Sequence, residues 1–305
     1  MTLPTTPEGW AIHLSKLIKA FHAAHGLNRF PIKVAPIATE YSRQVFPESP
    51  ITLVEGLALS EKFEGMLMPA PDGSGEWGII YNKAITSKGR INFTLAHELG
   101  HYLLHRTLSP DGIRCTGRDM ANWKSEFGQT EAQANTFASY LLMPLDDFRE
   151  QVKGEDVSMD LMFHLADRYA VSLTAAILKW LQITNKRAMI VVAHDGFIDW
   201  SWSSDRLIKS GIFYRARQQT TALPERSLAG LRDASIDNLT GTVHPAGIWP
   251  GDEEVREMTL ISQKNESSLS LLVYPDDAPD RRFAGAGDCD EPREWDTYDQ
   301  FRWRG

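Results

Sequence analysis

The sequence predicts an α+β chain in three parts: a helix-and-sheet domain over residues 1–148, a helical, helix-turn-helix-like segment over 149–185, and a second α+β domain over 186–305. Three observations carry this reading. Helical periodicity alternates with short apolar segments in the first half, two helical patterns stand back to back in the middle, and from Ala188 onward the texture turns to strands.

Taken in order, Trp10, Ile12, Leu14, Leu17, Ile18 and Phe21 recur near helical period over residues 7–25, and Gly26 follows as a stop signal. Between Ile51 and Asn82 the segments "ITLVEGLAL", "FEGMLMP" and "EWGIIYN" are divided by turn signals such as "PAPDGSG", which predicts a small sheet. A helix is expected from about Lys88 to Arg106 and another from about Thr130 to Leu142, stopped by Pro144. The polar stretch "LDDFREQVKGEDV", residues 145–157, reads as the first boundary.

Leu161, Met162, Leu165 and Tyr169 then mark one short helix, and Ser172 is placed to cap a second that contains Leu173, Ala176, Ile177, Trp180 and Leu181. Strand candidates follow in "AMIVVA", "FIDWSW", "GIFYRA", "REMTLIS" and "SLSLLVY", with Asp195-Gly196 as a hairpin turn between the first two. The tail from Asp276 mixes acidic residues and arginines with Trp295, Tyr298, Phe301 and Trp303.

Composition narrows the function classes. A formal net charge of -8 argues against a protein that coats nucleic acid or an anionic membrane by bulk charge. Two distant cysteines, Cys115 and Cys289, suggest neither a disulfide framework nor a cysteine zinc knuckle, and an inert loop position is the expectation for Cys115. The N-terminus lacks the pattern of a secretory signal, and the longest apolar runs fall far short of the roughly 20 residues that span a bilayer. A cytoplasmic protein with no membrane partner is the expectation.

The chemistry concentrates in "AHELGHYLLH", Ala96 to His105. His97-Glu98-Leu99-Gly100-His101 matches H-E-x-x-H, in which two histidines one helical turn apart share a metal and the glutamate reaches its activated water. Leu95, Leu99, Tyr102 and Leu103 fall on the side opposite His97, Glu98 and His101, which leaves one face for a core and one for a site. His105 lies roughly 12 Å along the axis from His97, too far for all three histidines to chelate one ion, and is read as a supporting or surface residue. The longer H-E-x-x-H-x-x-G-x-x-H pattern fails, since Leu104 and Thr107 stand where it needs Gly and the third His.

A third ligand must come from elsewhere, and Glu131 in "TEAQANTFASYLLMP" is the preferred source; a carboxylate that simply complements a helix N-terminus is the alternative. Asn135, one turn on, can accept a hydrogen bond from a ligand histidine and fix its tautomer. Tyr140 and His105 are candidates for stabilising an oxyanion. The strand "EWGIIYN" is either a plain core strand or one to which an extended substrate adds.

"FTLAHELGHYLLH", followed about thirty residues later by "EAQANTFASYLLMP", resembles the ImmA/IrrE family of metallopeptidase-like proteins over about Ile79 to Pro144. The resemblance implies a zincin-like domain with Zn2+ on His97, His101 and Glu131 and with Glu98 as the catalytic acid/base. It further implies a partner or substrate that is a helix-turn-helix repressor of the Xre type, a middle helix-turn-helix-like unit, and in some members a GAF-like sensory domain at the C-terminus.

In the middle segment, only Thr174 and Lys179 offer polar groups on the second helix, whereas a recognition helix needs several aimed at base edges. A helical pair that packs in the protein is therefore preferred to DNA binding. "AGAGDC" has no strand-loop-helix surroundings and is not read as a phosphate loop. The expectation is a zinc-dependent endopeptidase acting on an Xre-type repressor. Its rivals are a metal-containing anti-repressor that binds without cutting, and a DNA-binding regulator with a structural metal.

Overall fold

The computed structural model describes residues 2–60, 63–116, 126–214, 216, 220–232, 239–262 and 266–277. The chain divides into two units, one holding the described residues up to Lys153 and Leu165–Ala175, the other holding Gly154–His164 and the described residues from Ala176 onward.

In the first unit, helix α1 (Pro7–His25) starts where Thr6 caps the amide of Gly9 and Pro7 takes a position that needs no donor. It ends at Gly26, whose φ of 63° closes the left-handed cap. Its Trp10, Leu14 and Ile18, spaced by four, are buried. Helix α2 (Val34–Val45) was not anticipated. Pro36 reads as a breaker in sequence, yet it falls in the first turn, where a missing N–H costs nothing.

Strands β1 (Ile51–Leu57), β2 (Phe63–Pro69), β3 (Trp77–Asn82) and β4 (Ile113–Thr116) form a four-stranded sheet in the order β1-β3-β2-β4. The central strand β3 pairs parallel with β1 and antiparallel with β2. "EWGIIYN" is therefore bonded along both edges and has no edge to offer an added strand. Cys115 belongs to β4, not to a loop.

Against this sheet lies α3 (Lys88–His105), capped by Ser87, and against α3 lies α4 (Glu126–Leu142), which starts four residues earlier than its periodicity suggested. The polar stretch read as a boundary is helical over α5 (Leu145–Val152). There Phe148 is buried and Asp147 accepts bonds from Arg168 and Tyr169, so the polar residues face partners of this unit.

Helices α6 (Met159–Tyr169) and α7 (Leu173–Ile183) are bent by 108° at the intervening turn, and Ser172 caps the amide of Ala175 as expected. That angle suits a helix-turn-helix. Helix α7 is buried from Thr174 to Leu181, including Lys179 at 0 % exposure. No single helix among the described residues is long and apolar enough to cross a membrane.

The second unit contains β5 (Arg187–His194), β6 (Phe197–Ser203), α8 (Asp205–Lys209), β7 (Thr221–Ala222), α9 (Leu228–Leu231), β8 (Thr242–His244), β9 (Val255–Ser262) and β10 (Ser267–Tyr274). The strands pair antiparallel in the order β7-β6-β5-β10-β9-β8. Met189, Val191, Leu272 and Tyr274 pack with Leu207 and Trp249 in its core. "GIFYRA" is not a strand over residues 212–214, although Ile212 is buried against that core. "AGAGDC" and the aromatic tail lie outside the described residues.

Candidate metal centre

The H-E-x-x-H residues sit in the part of α3 that is most completely enclosed. Every residue from Thr94 to Leu103 is buried, so the polar side of the helix faces other elements of the unit and not solvent. What encloses it is α4, and the approach of the two helices depends on Gly100 between the histidines. A Cβ at that position would stand 2.9 Å from Phe137 Cδ1 and 3.2 Å from the Cα of Ala134. With hydrogen there instead, the backbones close up and α4 delivers Glu131 to the histidine pair.

His97, His101 and Glu131 each offer a ligand atom within 4.8 Å of the others, and all three side chains are buried. His97 Nε2 and His101 Nε2 lie 3.0 Å apart. The two carboxylate oxygens of Glu131 lie 3.2 and 3.1 Å from those nitrogens. The two histidines come together because one helical turn separates them, and Glu131 joins them only through tertiary packing.

The hydrogen-bond network assigns the protons of both rings. Asn135 Oδ1 lies 2.9 Å from His97 Nδ1, so that nitrogen donates and Nε2 is left to face the cluster. On the other ring, His101 Nδ1 lies 3.0 Å from His105 Nδ1, and His105 Nε2 lies 2.8 Å from Gln133 Oε1. An amide oxygen only accepts, so His105 donates from Nε2, accepts at Nδ1, and thereby takes the Nδ1 proton of His101. His101 Nε2 is then a lone pair. Two imidazole nitrogens and a carboxylate thus converge at 3.0–3.2 Å as acceptors, an arrangement that calls for a cation between them.

The acid–base properties of the cluster agree. Burial lowers the affinity of His97 for a proton, but the hydrogen bond and charge of Glu131, with Glu98 and Asn135 behind them, outweigh it and raise its pKa to about 9. Burial and the charge on His97 lower His101 to about 4. Glu131 is held well below the usual carboxylate range: burial opposes this, and the bonds from His101 and His97 prevail. A proton on His97 therefore takes the cationic place when no metal does. The donor set, borderline nitrogen with one hard oxygen, suits a divalent ion of the first transition row.

Glu98 is fully buried on the same helix and lies close enough to His97 to influence its charge. Its Oε1 is directed toward Gly65 of β2. The sequence-predicted residues His97, Glu98, His101, Glu131 and Asn135 are thus brought together. Tyr140 is not: it lies nine residues beyond Glu131, about 13 Å along α4, where Glu8 and Arg149 set its surroundings. His105 is not an oxyanion donor either, because both of its nitrogens are committed to His101 and Gln133. Gln133 was missed altogether; its only signal is its position two residues after Glu131, which has no meaning until α4 is docked.

This centre is of the metallopeptidase type, with a helix-borne histidine pair, a glutamate between them and a carboxylate from the next helix. Residues 60–181 match the family model Peptidase_M78, described as IrrE N-terminal-like domain. That stretch contains the whole cluster, and over it the chain is similar to the ImmA/IrrE family. No curated protein matches the chain.

Proposed function

We propose that the protein is a zinc-dependent endopeptidase whose substrate is a helix-turn-helix repressor of the Xre type, so that cleavage relieves repression in the cytoplasm. One observation carries the peptidase part: two tautomer-fixed imidazoles and a carboxylate converge with a fourth, buried carboxyl-bearing residue, Glu98, beside them. The repressor part follows from the family resemblance. The burial of α7 supports a protein partner over direct reading of DNA.

Zinc held by His97, His101 and Glu131 would supply Lewis acidity, lowering the pKa of a water to about 7 and polarising a peptide carbonyl. The chain's residues do the rest. Glu98 takes a proton from the nucleophilic water through its carboxylate as the oxygen attacks the scissile carbonyl carbon. It then returns that proton to the amide nitrogen as the C–N bond breaks. The buried setting of Glu98 strengthens its interaction with the charges of the site. Asn135 keeps the His97 ring aimed through both steps. The C-terminal unit is read as a regulatory module, GAF-like in expectation, consistent with its antiparallel sheet.

The test is cleavage of a co-expressed Xre-type repressor by wild type and by Glu98→Gln, with metal content measured on both. One equivalent of zinc in each, with cutting by wild type alone, is the expected result. Release of the repressor from DNA by both, without cutting, would replace the peptidase with an anti-repressor that only binds.

A further inference from the structure

His105 neither binds the metal nor moves a proton in the mechanism above, yet it is 2 % exposed, and buried imidazoles are held by specific partners. Its partners are a metal-site histidine on one side and an amide on the other, His101 at 3.0 Å and Gln133 at 2.8 Å. Because His105 lies one turn beyond His101 on the same helix, its ring reaches the outer nitrogen of His101 and not the cluster itself.

We propose that His105 and Gln133 form a relay that positions His101 for metal binding. Gln133 Oε1 fixes the proton of His105 on Nε2, and His105 Nδ1, left as an acceptor, fixes the proton of His101 on Nδ1. His101 Nε2 then faces Glu131 as a lone pair. The relay rests on the reading of the cluster as a metal site, and it gives that site an asymmetry. Asn135 orients His97 in one step, whereas His101 is oriented in two.

Glu131, Gln133 and Asn135 all belong to α4, so one helix supplies the third ligand and both orienting amides. Without an acceptor at His105 Nδ1, the His101 proton is free to move to Nε2, where it occupies the electron pair a metal needs.

The test uses the full-length protein with Zn2+ as the probe, its affinity read by competition with a chromogenic chelator. His105→Phe keeps an aromatic ring and removes the acceptor; the expected loss of affinity is about 10–100-fold. His105→Asn places an amide oxygen near the position of Nδ1 and is expected to restore affinity to within a few-fold of wild type.

Gln133 is exposed, so Gln133→Ala does not threaten the fold and carries the test should His105→Phe fail to fold. It should weaken binding, and the double variant should be no weaker than His105→Phe alone, because Gln133 acts only through His105. The d–d spectrum of the Co2+ form, shifted in His105→Phe and not in His105→Asn, is the second readout.

Wild-type affinity in Gln133→Ala, or equal losses in the Asn and Phe variants, would overturn the relay while leaving the metal site standing. A wild-type protein that binds neither ion better than His101→Ala would overturn the metal reading and the relay with it.

Discussion

Gly65 of β2 and Glu98 of α3 are in such close contact that a Cβ on Gly65 would stand 2.9 Å from Glu98 Oε1 and 2.5 Å from Thr94 Cγ2. The sheet therefore sets the position of the glutamate by offering a bare backbone for its carboxyl to rest against. Gly65→Ala should push Glu98 aside. A displacement near 1 Å is expected to lower peptide hydrolysis about 100-fold, with the zinc content unchanged. Thr94→Ser removes the second clash, so the double variant should remain slow; recovery of wild-type rate in it would show that Thr94, not Glu98, had been displaced.

Gly100→Ala places a methyl group where α3 and α4 touch, against Phe137 and Ala134. Overpacking of this kind costs about 1–3 kcal/mol. Because α4 carries Glu131, the same substitution should weaken zinc binding, which the unrelated substitution of an exposed residue would not do. A thermal melt and a chelator competition on one sample separate the two effects.

Acid–base linkage gives a third expectation. With no metal bound, the pKa of His97 near 9 means that the ring is protonated at neutral pH, and it must lose that proton to become a ligand. Zinc uptake at pH 7 should release about one proton, falling toward none above pH 9. Calorimetry in buffers of different ionisation enthalpy reads this directly. In the metal-free protein the raised pKa of His97 contributes stability that is complete below the ordinary histidine value and is lost as pH rises through about 9. His101, lowered to about 4, works the other way: its contribution is present above the ordinary value and is lost as pH falls toward 4. The melting temperature of the metal-free protein should therefore decline on both sides of neutrality, and zinc should flatten the alkaline side.

In the second unit, Glu257 is 0 % exposed and accepts from the amides of Leu228 and Ala229 at 3.0 Å each, from Trp249 Nε1 at 2.7 Å and from Thr259 Oγ1 at 2.7 Å. Glu257→Ala would strand these donors, at about 1–3 kcal/mol for each one left unsatisfied. The expected outcome is loss of the folded second unit, seen by proteolysis, with zinc affinity at the first unit retained. Zinc affinity lost together with the fold would mean that the units do not fold independently.

The helices and strands whose apolar residues keep a steady period were legible, as α1, α3, β5, β6, β9 and β10 demonstrate. Helix α2 was not, because Pro36 stands near its start and Thr39, Tyr41 and Ser42 favour helix only weakly. The stretch 145–157 does contain a division between the two units, at Lys153 and Gly154, but helix α5 within it was not legible because its charged residues face partners on other elements, Asp146 toward Lys19 and Arg29 and Asp147 toward Arg168, none of which is near in sequence.

The sequence by itself determined the pairing of His97 with His101 and the place of Glu98 between them, since 3.6 residues per turn fixes which side chains of one helix share a face. The sequence offered Glu131 as the third ligand and Asn135 as an acceptor for a ligand histidine; only the tertiary structure decided that both reach the pair, and that Gln133 and His105 support His101. The contacts of Glu131, Gln133 and Asn135 cross from α4 to α3, which approach each other at Gly100, and Glu98 meets β2 at Gly65. Whether two backbones can approach there depends on how side chains distant in sequence pack, and no local period records it.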